Sequence, residues 1–176
     1  MTGLEHLAWL RERRSARVFA DRPVARDALT RLIEAAVSAP SSSNRQPWRF
    51  AVVTAPGLRR RVAEAVRARA QALSEVIRRG PHAEEFGAYG DFFWEPLAGA
   101  AAIVVPQVRE HADLLARFIL SAGDDPARFE LPGAMQPELC ALGSAVMALL
   151  LQARAEGLGA CWMAGPMVAR SEIERL

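Results

Sequence analysis

The chain has no lysine: all 22 of its basic residues are arginine. That excludes a Schiff-base lysine and the phosphate lysine of a Walker-type loop. Cysteine is nearly absent too. Cys140 and Cys161 form no C-x-x-C pair, so no disulfide framework is written here, and a cytoplasmic location is expected. His6, His82 and His111 are scattered without metal-ligand spacing, and no metal is expected. There is no G-x-S-x-G elbow. Gly157-x-Gly159 follows a helical pattern and meets Trp162 where a dinucleotide fingerprint needs glycine. The acidic pairs Glu84-Glu85 and Asp124-Asp125 fall in turn-like stretches and read as solvated. No side-chain catalytic constellation is visible. The net charge of +2 makes no case for nucleic acid. The longest apolar run, Leu139 to Leu151, is broken by Ser144 and falls short of the roughly 20 residues a bilayer span needs. Met1 to Arg14 carries no apolar signal-peptide core. Neither membrane nor nucleic acid is an expected partner.

What is present suits one soluble domain over residues 1–176, with 51% hydrophobic and 24% charged residues. Leu4, Leu7, Ala8, Leu10 and Arg11 read as a short amphipathic helix. Leu29, Leu32, Ile33, Ala36 and Val37 give a second helix over 26–38. Phe50 to Thr54 is a buried strand. After Pro56-Gly57, a long helix shows Leu58, Val62, Val66, Leu73 and Ile77 on one face, with Arg59, Arg60, Arg67 and Arg78 on a solvated side. Gly80 to Gly90 reads as a mobile segment. Phe92, Phe93 and Trp94 suit a core or a ligand cover. Ala101 to Val105 is a second strand, ended by Pro106. Residues 107–133 are hard to assign beyond turns at Gly123-Asp124-Asp125-Pro126 and Pro132-Gly133. Pro137 opens a helix that is apolar on nearly all sides, buried in a core or at a subunit interface, and capped by Gly157. Leu158 to Pro166 reads as a third strand. Ser171-x-x-Glu174 has the capping-box pattern of a helix start.

Two stretches carry chemistry. Arg13-Arg14-Ser15-Ala16-Arg17 sets three guanidinium groups and a hydroxyl within five residues. Such forks match phosphate oxygens, although a basic helix C-terminus complementing the helix dipole has the same composition. Pro40-Ser41-Ser42-Ser43-Asn44-Arg45-Gln46-Pro47 is a loop restricted by two prolines. Its hydroxyls and amides suit a polar ring system, and equally a plain helix-to-strand connection.

Taken with Gly157-Leu158-Gly159-Ala160-Cys161-Trp162-Met163-Ala164-Gly165-Pro166, these blocks make the chain similar to the nitroreductase family of FMN-dependent oxidoreductases. Order and spacing fit along nearly the whole chain, with residues 74–135 matching only in outline. The resemblance implies an α+β fold: a three-layer sandwich with a mostly antiparallel central sheet flanked by helices, in an intertwined homodimer with two FMN molecules at its interface. It implies that Arg13, Arg14, Ser15 and Arg17 hold the flavin's phosphate and ribityl end. Pro40, Ser41, Ser42 and Asn44 would reach the same flavin from the other subunit, and Met163, Ala164 and Gly165 would lie along its ring. NADH or NADPH would reduce the flavin and a nitroaromatic, quinone or enone would reoxidise it, in a ping-pong cycle. Such a flavin carries the chemistry, which accounts for the missing constellation. Family members usually continue past the point matching Leu176 with a crossing strand and often a basic residue near the phosphate, both expected to be lacking here. Two other readings stay open within the fold: a non-enzymatic flavin or small-ligand binder, and a specialised flavin enzyme of deiodinase-like or flavin-fragmenting type.

Overall fold

A computed structural model describes residues 2–86, 90–109, 113–129, 131 and 136–176, with the backbone alone at Asp91. The chain forms α1 (Gly3–Arg11), α2 (Arg26–Val37), β1 (Trp48–Val53), α3 (Pro56–Arg78), α4 (Ala83–Phe86), α5 (Glu95–Gly99), β2 (Ile103–Val108), α6 (Leu114–Ser121), α7 (Pro137–Ala155) and α8 (Arg170–Ile173). Short 3-10 turns cover Ser42–Asn44, Asp91–Phe93, Pro126–Arg128 and Gly165–Ala169. The α+β class expected from sequence holds.

Helix α7 is the hub. Its buried positions are Ala141, Ala145, Val146, Leu149, Leu150 and Ala153. Ala145 and Ala153 meet Leu29, Leu32 and Ala36 of α2, while Trp48, Phe50 and Val104 bring the sheet into the same core. Gly157 ends the helix in the left-handed region at φ 69°. Its N–H donates to the Arg154 carbonyl, and the Leu158 N–H reaches back to Ala153 at 2.8 Å, a Schellman closure of the expected kind. The helix is not buried all round, however. Leu139 and Met147 remain 51% and 42% exposed, on one stripe with Gly143. On length and apolarity alone its 19 residues would reach across a bilayer, but its other face is the centre of the core.

The sheet among the described residues is one antiparallel pair, with Trp48 opposite Val108 and Val53 opposite Ile103. Pro106 does not end β2: it sits inside the strand opposite Phe50, which a two-stranded sheet permits because each strand has an outer edge. The third strand expected over 158–166 is not formed. That segment makes one parallel bridge, Ser15 with Ala160, and then turns into 3-10 helix at Gly165. The capping box expected at Ser171 is also absent: α8 starts one residue earlier, with no side-chain cap on Ala169. Residues 107–133, opaque in sequence, hold α6 behind an Asp113 cap. Pro132-Gly133, His111 and residues 87–89 lie outside the described residues.

A second core forms where Val66 and Ala70 of α3 meet Phe93 and Ala169. Phe93 is therefore core, whereas Phe92 is 45% exposed. The arginine side of α3 is only partly solvated: Arg59 donates to the carbonyls of Thr54 and Ala100, and Arg67 lies 5.6 Å from the Trp94 ring centroid. Asp124 is not merely solvated either, since Arg128 donates to both its oxygens.

One ion pair clamps the α2–α7 seam. Arg31 forks onto Glu156, Nε to Oε1 at 2.5 Å and Nη2 to Oε2 at 2.7 Å, and Gln152 donates to the same carboxylate at 2.9 Å. The Arg31 hydrogen bond, aided by Gln152 and opposed by desolvation, holds the Glu156 carboxyl at about 2 instead of 4.5. A lowered folded-state pKa stabilises fully above the unfolded value and is lost as pH falls through the folded value. Stability should decline between pH 4.5 and about 2 through this group, and Glu156→Gln should flatten that part of the curve. Urea denaturation across the window checks this; identical slopes in both proteins would remove Glu156 from the acid response.

Candidate ligand-binding site

The arginine block leaves α1 as extended chain. Ala16 N–H donates to the Ala160 carbonyl at 3.1 Å, and Ser15 forms the bridge with Ala160. That register needs Gly159: a Cβ there would lie 2.9 Å from the Ala16 Cβ. The first and third sequence blocks are thus laid side by side by backbone contact.

Next to this register lies a cavity of about 170 Å³ walled by Glu12, Arg13, Arg14, Arg154, Leu150, Leu158 and Ala160. Arg13 is half-buried and faces it. Arg14 also lines it, but its Nη1 donates to the carbonyls of Arg11 and Arg13. Ser15 is exposed, and so is Arg17, which is not part of the cavity wall. The sequence reading missed Arg154. It reaches the cavity from the last turn of α7, donates to Glu12 Oε2 at 2.5 Å and lies 5.2 Å from the Trp9 ring centroid. Its Nε is buried without a hydrogen-bond partner among the described residues. Its partners Glu12 and Trp9 lie more than 140 residues away in the chain, so no local pattern signals it. The volume suits a phosphate-sized group and falls below the several hundred Å³ of a whole cofactor pocket.

The proline-bounded loop sits at the other end of α7. Arg45 contacts Glu138 at 3.4 Å, and the Gln46 N–H donates to Ser41 Oγ at 2.9 Å. Ser43, Asn44 and Gln46 all take positive φ, between 46° and 51°. Asparagine tolerates that region; serine and glutamine are strained in it, and such strain gathers at ligand clamps. Pro40, Ser42 and Asn44 are exposed and Ser41 is half-buried. Sixteen residues of α7 separate Glu138 from Arg154, about 24 Å at the helical rise. The loop and the arginine block of one chain therefore stand at opposite ends of one helix.

Met163, Ala164 and Gly165 join the two regions. The chain runs from Ala160 back along α7, bringing Trp162 to 3.8 Å from a Cβ built on Gly143, and then enters the second core. Met163 is half-buried and Ala164 exposed. The glycine at 165 is required within the chain: a Cβ would lie 2.4 Å from Cδ1 of Phe93. Its bareness thus has a packing cause, beyond the close ligand approach that the resemblance implied. Among the described residues no three metal-ligating side chains converge.

A profile described as the nitroreductase family matches residues 10–176. Nitrobenzene nitroreductase of Ectopseudomonas oleovorans is 44% identical over 59 residues, covering 34% of this chain and 26% of that enzyme. A second curated relative, from Archaeoglobus fulgidus, is 38% identical over 61 residues, 35% of each chain. The matched stretch spans about a third or less of both relatives. Among solved structures, a BluB-like flavoprotein from Clostridium difficile 630 superposes with TM-score 0.80 at 24% identity, covering 98% of this chain and 80% of that one. A nitroreductase with bound FMN from Desulfitobacterium hafniense DCB-2 gives TM-score 0.66 at 22% identity, covering 97% and 75%. At these identities the two structures speak for the fold.

Gly165→Ala should lower stability by about 1–3 kcal/mol, because the added methyl must displace a buried ring. Paired with Phe93→Leu in a double-mutant cycle, its cost should shrink. Strict additivity of the two losses would show that the ring contact is not what fixes glycine there.

Proposed function

The chain belongs to the nitroreductase family, and on that premise we propose that it is a cytoplasmic FMN-dependent oxidoreductase passing electrons from NADH or NADPH to a small acceptor such as a nitroaromatic, quinone or enone. The observation that carries this reading is the arginine-walled cavity registered against the third block by the Ser15–Ala160 bridge. Its donor set fits a phosphate ester: guanidinium groups over an apolar floor of Leu150 and Leu158, with no competing metal cluster among the described residues. Bound FMN supplies hydride acceptance from the nicotinamide and electron delivery to the acceptor, in alternating half-reactions.

This chain's residues bind and orient. Arg13, Arg14 and Ser15 hold the phosphate end, and Arg17, beside them on the extended segment, reaches the ribityl chain from solvent. Met163, Ala164 and Gly165 run from that end along α7 and offer backbone to the ring. The loop of Pro40, Ser41, Ser42 and Asn44 sits at the Glu138 end of α7, about 24 Å of helix from Arg154, which is why we assign it to the pocket of a second copy. The open stripe of Leu139, Gly143 and Met147, with Trp162 57% exposed beside it, supports a homodimer closed over α7.

Purified protein should be yellow, and NADH or NADPH should bleach it anaerobically. A yellow protein that neither nucleotide bleaches is a flavin binder without turnover, and a protein that takes up no flavin sinks the reading. Arg17→Ala should weaken FMN binding about tenfold or more, the scale of one charge-assisted contact. A mixed dimer of Arg17→Ala with Asn44→Ala then tests the sharing. If the loop serves the partner, both lesions fall on one pocket and half the flavin binds normally; if each loop serves its own chain, neither pocket does.

A further inference from the structure

We propose that Arg154 is a further phosphate-binding residue of this site, held by Glu12 as a placeholder until the anion arrives; the inference rests on the FMN reading above. The cavity wall carries three arginines against one glutamate, an excess of two positive charges that matches a phosphate-monoester dianion. One of the three is partly occupied: Arg14 donates its Nη1 to two main-chain carbonyls. Arg154 adds donors beside it on the same wall. It lines the cavity with Leu150 and Leu158, and its guanidinium carbon lies over the Trp9 ring. Its side chain is only 24% exposed, yet its Nε finds no partner among the described residues. A buried donor without an acceptor is costly to keep, and an incoming oxyanion satisfies it.

Glu12 is suited to a temporary role. Its side chain is 69% exposed, and its contact with Arg154 is a single-oxygen one. Exposed pairs of this kind are weak. A phosphate offers several oxygens to one fork and binds guanidinium bidentately, so it displaces one carboxylate oxygen readily. Released, Glu12 can turn to the solvent in which its side chain already largely lies.

The test compares FMN with riboflavin, which lacks only the phosphate, by fluorescence titration. Wild-type protein should prefer FMN. Arg154→Gln keeps most of the aliphatic stem, removes the positive charge and the fork, and should cut that preference about tenfold or more, with riboflavin affinity little changed. Glu12→Gln removes the competitor and should tighten FMN, up to about fivefold, without affecting riboflavin. An unchanged FMN-to-riboflavin ratio in Arg154→Gln overturns the proposal. If that variant does not fold, Glu12→Gln decides alone, and an FMN affinity that stays equal or falls overturns the placeholder role. Wild-type protein that binds neither flavin sinks the FMN reading; inorganic phosphate then separates the two ideas. Phosphate that raises the melting temperature of wild type and not of Arg154→Gln keeps the anion seat, and phosphate without effect on either removes it.

Discussion

Everything in the site hangs on the close approach of α2 to α7. Ala36 and Ala145 are fully buried and Ala153 is 1% exposed. Three methyl-sized side chains on facing helices allow a short interaxial distance, and Leu29, Leu32 and Leu149 fill the flanks. The sheet joins the same core through Trp48 and Phe50. With α2 and the sheet both packed on it, the two ends of α7 are fixed as well. One end holds the Pro40 loop through Glu138 and Arg45; the other presents Arg154 to the arginine block. A bulky residue in the seam would shift both ends together.

The site is built by main-chain approach more than by a side-chain constellation. Gly159 admits Ala16, and Gly165 admits the Phe93 ring. The first contact aligns the arginines with the third block; the second anchors that block to the core of α3, Phe93 and Ala169. Met163 to Gly165 therefore lie where the two cores join. A ligand along them would contact a segment pinned at both ends, which limits the freedom it must freeze on binding.

How far the sequence disclosed this depends on the range of each interaction. Helices α2, α3 and α7 were legible because their apolar spacing repeats locally, and Gly157 was legible because a left-handed closure needs glycine nearby. The family was legible because the blocks stand as tandem motifs. The third strand was misread because Leu158 to Met163 has strand-like composition while, among the described residues, only Ser15 supplies a pairing partner there. Pro106 was misread as a stop because its tolerance depends on β2 having an open edge, a property of the sheet and not of the strand. Arg154 was invisible for the same kind of reason. Its meaning comes from Glu12, Trp9 and Arg14, residues far away in the chain that meet it only in the folded cavity wall.

On the proposed reading, that position also accounts for the number of arginines. Anion sites commonly use the positive end of a helix, where free N–H groups point at the ligand. Here the cavity adjoins the C-terminal end of α7, where the macrodipole presents roughly half a negative charge. The Schellman closure at Gly157 satisfies the carbonyls of Ala153 and Arg154 and draws the chain tightly over that end, but it leaves the dipole in place. Glu156, at the same terminus, is neutralised by Arg31 on the far side of the seam. An anion seat in this place must overcome an unfavourable field before it binds anything. Three arginines, one of them stacked on Trp9 and paired with an exposed glutamate, supply that excess. A neutral hydrogen-bonding pocket of the same shape would not.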